Sequence, residues 1–324
     1  MTAAADVTRV VLPNGCTVLV RRDDSADAVA MVTWVRAGYF DEPDHWGGIA
    51  HVLEHMYFKG TPRFGPGEIA TATKACGGFL NAATIYDHTA YYAVVPASRF
   101  AEALDIQYDA WAHSAIDADE LRRELEVIVQ EARRKRDTPG AVAVETLYEV
   151  LHDRHRMRRW RIGHDEVLRG FTRDDLVAFY RAQYVPSNTI VSIVGAVDPA
   201  EAVEAVAARH GTAAAAEAPR DRGPQEASPP GRRWREWDGD LANAELVVGW
   251  RTVPPHHADA PALDLAAGVL GMGRGSRLWR AVRERGLAPS VGVSHYTPTE
   301  LGFLLLLADA PSASDFDALR SMWA

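Results

Sequence analysis

Runs of alternating apolar and polar residues open the chain. Residues 7–20 read as two short strands around Pro13-Asn14-Gly15, since Asn-Gly favours the tight turn of a hairpin. Residues 29–35 (VAMVTWV) form a third strand candidate, rich in β-branched side chains. The period then changes. Gly47-Gly48 precedes a helical stretch reaching Phe58, and Glu68 to Ala75 is a second one, broken by Gly77-Gly78. Residues 81–95 (NAATIYDHTAYYAVV) alternate again and predict a strand pair. Helical spacing returns over Ser98–Trp111 and Asp117–Arg136, the latter stopping before Asp137-Thr138-Pro139-Gly140. A further helix starts near Thr172, where Thr172 and Asp175 form a capping-box pair, and residues 189–194 (TIVSIV) are a buried strand ended by Gly195. Ala200 to Arg209 is the next helix.

From Gly211 to Gly231 the pattern lapses into Ala, Pro, Glu, Arg and Gly, the composition of a linker. Beyond it the opening repeats. Residues 244–250 (AELVVGW) mirror the strand at 29–35, Ala262–Gly271 mirrors the helix at His51, and residues 287–310 mirror the strand pair at Asn81. The offset of about 210 residues is too long for a solenoid and marks a duplicated domain. The expected fold is therefore α+β, with two homologous domains, each a mainly antiparallel sheet with helices packed on it. The boundaries expected are 1–210 for the first domain, 211–235 for the linker and 236–324 for a second domain that is incomplete. A half-formed sheet leaves an unpaired edge, which natural proteins avoid.

Composition narrows the chemistry. The chain of 324 residues carries 35 Lys and Arg against 44 Asp and Glu, a net charge of −9, so no concentrated basic surface for nucleic acid is expected. No apolar run approaches the roughly 18 residues of a membrane span, and the first residues lack the basic and apolar regions of a secretory signal. A cytoplasmic location follows as the expectation. Two cysteines, Cys16 and Cys76, cannot build a disulfide framework or a Cys-rich zinc site; two free thiols is the plainer reading and one disulfide the other.

The sharpest chemical feature is His51-Val52-Leu53-Glu54-His55. Positions i and i+4 share a helix face, so both imidazoles can hold one ion, with Glu54 beside them to take a proton from metal-bound water. Zinc suits imidazole and carboxylate ligands and keeps a position open for water. The order inverts the HExxH motif. The plain alternative is a solvated face with Glu54 paired to a lysine, which the apolar neighbours Val52, Leu53, Met56 and Phe58 weigh against. A third ligand is required, and the helix at 117–136 offers Glu124 and Glu131, seven residues apart on one face, while Glu126 points elsewhere.

Several spaced blocks together resemble the pitrilysin/insulinase family of metallopeptidases, which includes the mitochondrial processing peptidase. They are GGIAHVLEHMYFKGT at 47–61, GGFLNAATIYDHTAYY at 77–92, ELEVIVQE at 124–131, and the landmarks at Ile162-Gly163, 184–188 and Val194-Gly195. The resemblance implies one Zn2+ per chain held by His51, His55 and Glu131, Glu54 as general base, and Glu124 as an acidic support of the zinc site. It also implies that Asn81 and Ala82 lie on a strand edge that receives substrate backbone, with Asn81 equally able to close a turn. Asp87 and Thr89 read as structural polar pairs, and His45 and His88 as bystanders.

The second domain departs from the family. In the block at 275–291 Arg283 matches the family's substrate-binding Arg, but Pro289 stands where a Tyr is expected, leaving Tyr296 as the nearest tyrosine. The function this implies is zinc-dependent hydrolysis of extended peptides or unfolded polypeptides. The alternative is a catalytically inactive peptide-binding or structural subunit of a heteromeric peptidase complex. A homodimer or a heterodimer would complete the family's chamber, and neither nucleic acid nor membrane is an expected partner.

Overall fold

A computed structural model of the chain describes residues 7–226, 231–237, 243–311 and 313–322. Strands β1 (Thr8–Val11), β2 (Thr17–Arg22) and β3 (Ala28–Val35) come first. Helices α1 (Ile49–Met56) and α2 (Glu68–Ala75) lead into β4 (Phe79–Thr84) and β5 (Thr89–Pro96). Five helices follow: α3 (Phe100–Ala112), α4 (Ala118–Arg136), α5 (Pro139–Leu151), α6 (Asp165–Gly170) and α7 (Arg173–Gln183). Next are β6 (Thr189–Gly195), α8 (Pro199–His210), β7 (Ala244–Thr252), α9 (Ala260–Gly271), β8 (Ser290–Tyr296), β9 (Gly302–Ala310) and α10 (Ala313–Met322).

Local rules account for most of these limits. The hairpin turns at Leu12–Cys16, and Thr172 and Asp175 cap α7 reciprocally. Helices α5 and α6 are the elements the hydrophobic pattern did not announce. Pro139-Gly140 reads as a stop, yet Pro139 occupies the first turn of α5, where a missing N–H costs nothing.

The chain divides into two compact units, residues 1–130 with 161–223, and residues 131–160 with 224–324. The sequence reading instead keeps everything to residue 210 together. The difference lies in α5, which packs on β7, and it lets the chain come close at Gly249, where an added Cβ would sit 2.6 Å from a Leu147 methyl. Residues beyond α8 stay with the first unit because Asn14 donates to the carbonyls of His210 and Ala213, and Arg222 pairs with Asp41 and Asp87. Residues 227–230 of the expected linker lie outside the described residues.

The first unit is built on a six-stranded sheet in the order β1-β2-β6-β3-β5-β4. Only the β2–β6 pairing is parallel. One face buries Val18, Val20, Val29, Met31, Val191 and Ile193, with Leu104 of α3 among the same fully buried set. Cys16 is also buried, and burial raises its thiol to about 12, so it is inert as a nucleophile; it and Cys76 are free thiols.

His210 ends α8 fully buried between the rings of Tyr108 and Trp111, at 4.9 and 5.0 Å. Burial and the Arg209 charge lower its pKa to about 3. A base depressed in the folded state contributes stability above its unfolded pKa of about 6.5 and loses it as pH falls towards 3. At pH 5 the loss relative to neutrality is about 2 kcal/mol. Urea midpoints at pH 7.5 and pH 5 are expected to converge partly in His210→Phe, which removes the titrating group.

The second unit has a three-stranded sheet, β7-β9-β8, both pairings antiparallel. Leu246, Leu278, Val282, Leu306 and Leu319 form its core. Its strands repeat β3-β5-β4 in order, pairing and connection through a helix, which makes the duplication visible in the fold. β1, β2 and β6 have no counterpart strand among the described residues of this unit.

Candidate metal centre

Helix α1 is short, so its placement rests on its ends. Gly48 at its N-terminus has φ +99°, a left-handed conformation, and an added Cβ would lie 2.7 Å from the carbonyl oxygen of Ile162. No local side chain caps the helix. Glu42, 2 % exposed, does so instead: its carboxylate accepts hydrogen bonds from the N–H groups of Gly48 and Ala50, each at 3.0 Å. The negative charge also suits the positive end of the helix. Gly48→Ala combines a left-handed alanine with that clash, so a loss of about 2 kcal/mol or more is expected in urea unfolding.

Ile49, Ala50, Val52, Leu53 and Met56 bury α1 against its surroundings, among them α7 and β4. His51 is buried beside them and His55 is partly exposed one turn later, the two rings meeting edge-on at 4.6 Å. Glu131 belongs to α4, one unbroken helix whose residues up to Gln130 lie in the first unit. One donor atom each from His51, His55 and Glu131 falls within 4.8 Å of the others. These are the three residues to which the resemblance assigns the metal. Two imidazoles and one carboxylate match the donor preference of zinc, and three protein ligands leave a position for water.

Glu124, seven residues before Glu131, faces the same place. Its Oε1 lies 2.8 Å from His55 Nδ1 and its Oε2 2.5 Å from Lys59 Nζ. Burial alone would raise this carboxyl, but the bonds from His55 and Lys59 and the Lys59 charge outweigh it and hold the group below its ordinary value. An ionised carboxylate can only accept, so His55 Nδ1 carries the proton and Nε2 keeps its lone pair. Glu126 pairs with Arg169 on the exposed face, as its position on the helix implied.

Glu54 shares its neighbourhood with two tyrosines. Tyr91 and Tyr184 join hydroxyl to hydroxyl at 2.5 Å, and burial, together with the Glu54 charge, raises both phenols. They therefore stay protonated at neutral pH. Glu42, Lys59, Tyr91 and Tyr184 are the members of this site that the sequence reading did not single out. Lys59, Tyr91 and Tyr184 each fall inside a block that carries the resemblance, whereas Glu42 left no such signal.

Asn81 and Ala82 lie on β4, an outer strand of the sheet, with Asn81 exposed and its Oδ1 accepting from the Ala82 N–H at 2.9 Å. Thr89 is structural as expected: its hydroxyl donates to the Ala37 carbonyl at 3.0 Å and lies 3.2 Å from Thr84 Oγ1. Asp87 pairs with Arg222. His88 rests edge-on against Trp34 and His45 lies tilted against Trp46, neither within the donor cluster. In the second unit Arg283 ends a π-helical turn, Trp279–Arg283, with its guanidinium 5.8 Å from the Trp279 ring centre. Tyr296 is exposed on β8.

The chain is similar to several known proteins. The family model described as insulinase (peptidase family M16) matches residues 17–161, and the one described as the peptidase M16 inactive domain matches residues 170–320. The uncharacterized zinc protease YmxG of Bacillus subtilis is 28% identical over 301 residues, which cover 93% of this chain and 73% of the relative. The uncharacterized zinc protease Rv2782c of Mycobacterium tuberculosis is 32% identical over 295 residues, covering 89% of this chain and 67% of the relative. Among solved structures, a protease from Helicobacter pylori superposes with a TM-score of 0.91 at 23% identity, covering 98% of this chain and 78% of that one.

Proposed function

Because the chain belongs to the insulinase family, peptidase family M16, we propose that it is a zinc-dependent endopeptidase acting on extended peptides. The observation that carries the reading is the convergence of His51, His55 and Glu131 with Glu124 behind His55. When bound there, zinc would lower the pKa of a water molecule towards 7 and polarise the scissile carbonyl.

The chain's own residues would do the rest. Glu54, the one member of the His-x-x-Glu-His string that ligation does not need, takes the proton of the attacking water and passes it to the leaving amine. Glu124 holds His55 in the tautomer that ligates, and Lys59 holds Glu124 ionised. The outer edge of β4 at Asn81 and Ala82 receives an extended peptide by main-chain hydrogen bonds, which ask little of its sequence. Substrate must displace the Asn81 side chain from the Ala82 N–H to do so.

A panel of quenched fluorogenic peptides tests the reading. Cleavage is expected to stop on chelation and to return with one equivalent of Zn2+ per chain. A zinc-loaded chain that cleaves none of the panel overturns it in favour of a non-catalytic peptide-binding subunit.

A further inference from the structure

The second unit holds a hydrogen-bonded row to which the proposed zinc chemistry assigns no part. Asp264 of α9, His295 of β8 and Thr252 of β7 are joined in turn: Asp264 Oδ1 lies 2.7 Å from His295 Nδ1, and Thr252 Oγ1 lies 2.9 Å from His295 Nε2. A carboxylate can only accept, so Nδ1 carries the imidazole proton and Nε2 keeps a lone pair. The Thr252 hydroxyl is therefore the donor to Nε2. Hydroxyl, base and orienting carboxylate stand in the order, and within the distances, that activate a nucleophile.

The sheet makes room for this row. β9 lies between β7 and β8, so the Thr252 hydroxyl has to pass over β9 to meet His295. It passes at Gly302, the ladder partner of Thr252, where an added Cβ would lie 2.4 Å from Oγ1. The duplicated fold does not require the arrangement. In the first unit the matching ladder of β3 and β5 ends on Val35 and Thr89, and the Thr89 hydroxyl donates to a carbonyl, that of Ala37. Thr252 closes β7, Tyr296 closes β8 and Gly302 opens β9, so the row lies at one end of the three-stranded sheet. The His295 side chain is 1% exposed, which shields both its bonds from water, while Asp264 is 66% exposed and Thr252 partly so.

We propose that Thr252 is the nucleophile of a second, metal-independent acyl-transfer centre, with His295 as its general base and Asp264 as the residue that positions His295. The β-branched side chain sets a methyl beside the attacking oxygen, so the substrates it suits are esters that join a small acyl group to a good leaving group. In acylation the Thr252 Oγ–H bond breaks as Oγ bonds to the carbonyl carbon. The proton passes to Nε2, and Asp264 holds the imidazolium. Collapse of the tetrahedral adduct breaks the bond to the leaving oxygen, which departs with the proton from Nε2. Water then attacks the acyl-threonine; its proton passes to Nε2 and on to Oγ as the carboxylic acid leaves. Ester and water thus become acid and alcohol, with no other reactant.

The test mixes the full chain with p-nitrophenyl acetate, with and without a chelator. A burst of p-nitrophenol approaching one equivalent per chain is expected in both, with the acetyl group found on Thr252 by tandem mass spectrometry. Thr252→Val is expected to abolish the burst, Thr252→Ser to retain it, and His295→Gln to slow acetylation by about 10²–10⁴-fold. Acetylation confined to lysines overturns the proposal, as does acetyl-Thr252 forming equally fast in His295→Gln; the row is then only a tie between α9 and the sheet. A burst that chelation abolishes belongs to zinc and overturns it as well. Locating the acetyl group in the parent chain decides the matter where a variant fails to fold. The expected burst needs no zinc, so the outcome is independent of the peptidase reading.

Discussion

Glu54→Gln is expected to lower the peptide cleavage rate by about 10²–10⁴-fold, the contribution typical of a positioned general base. Glutamine keeps the size and polarity of the side chain but cannot take a proton. His51, His55 and Glu131 are untouched, so zinc content should remain at one equivalent per chain. Measuring metal by atomic absorption beside kcat for a fluorogenic peptide separates the two roles. Loss of zinc together with activity would assign Glu54 to ligation; an unchanged kcat would remove it from the mechanism.

Glu124→Gln acts one bond further from the metal. The His55 imidazole would lose its ionised partner, and Lys59 the carboxylate 2.5 Å from its ammonium. Outer partners of zinc ligands are commonly worth 10- to 100-fold in metal affinity, and a fall of about that size is expected in competition with a chromophoric chelator. At saturating zinc the KM for peptide should change little, because Glu124 lies behind the ligand. A zinc affinity equal to that of the parent chain would reduce Glu124 to a partner of Lys59.

Much of this was legible in the residues. The i, i+4 spacing of His51 and His55 and the seven-residue step from Glu124 to Glu131 are local periodicities, and a helix converts them directly into shared faces. Strand order was less accessible. The β2–β6 pairing joins residues 17–22 to residues 190–195, and nothing in either stretch names the other. Helix α5 was hidden because proline and glycine punctuate a sequence in the same way whether they end one helix or begin the next. Glu42 was hidden for another reason: capping is normally sought at the residue before the helix, and this cap arrives from a loop. Tyr91 and Tyr184 sit 93 residues apart, and only folding reveals that their hydroxyls meet beside Glu54.

The Glu42 cap has a consequence for how such a site is inherited. Five residues, Pro43 to Gly47, separate the carboxylate from the first N–H it receives, and that count sets how the helix bearing His51 and His55 is anchored. A single insertion there would leave both histidines and both glutamates in place, yet it would detach the helix that carries the histidines from its anchor. A search for intact ligands would score that chain as unchanged. Spacing in a loop that gives no residue to the His51, His55 and Glu131 cluster can thus matter as much as the cluster itself.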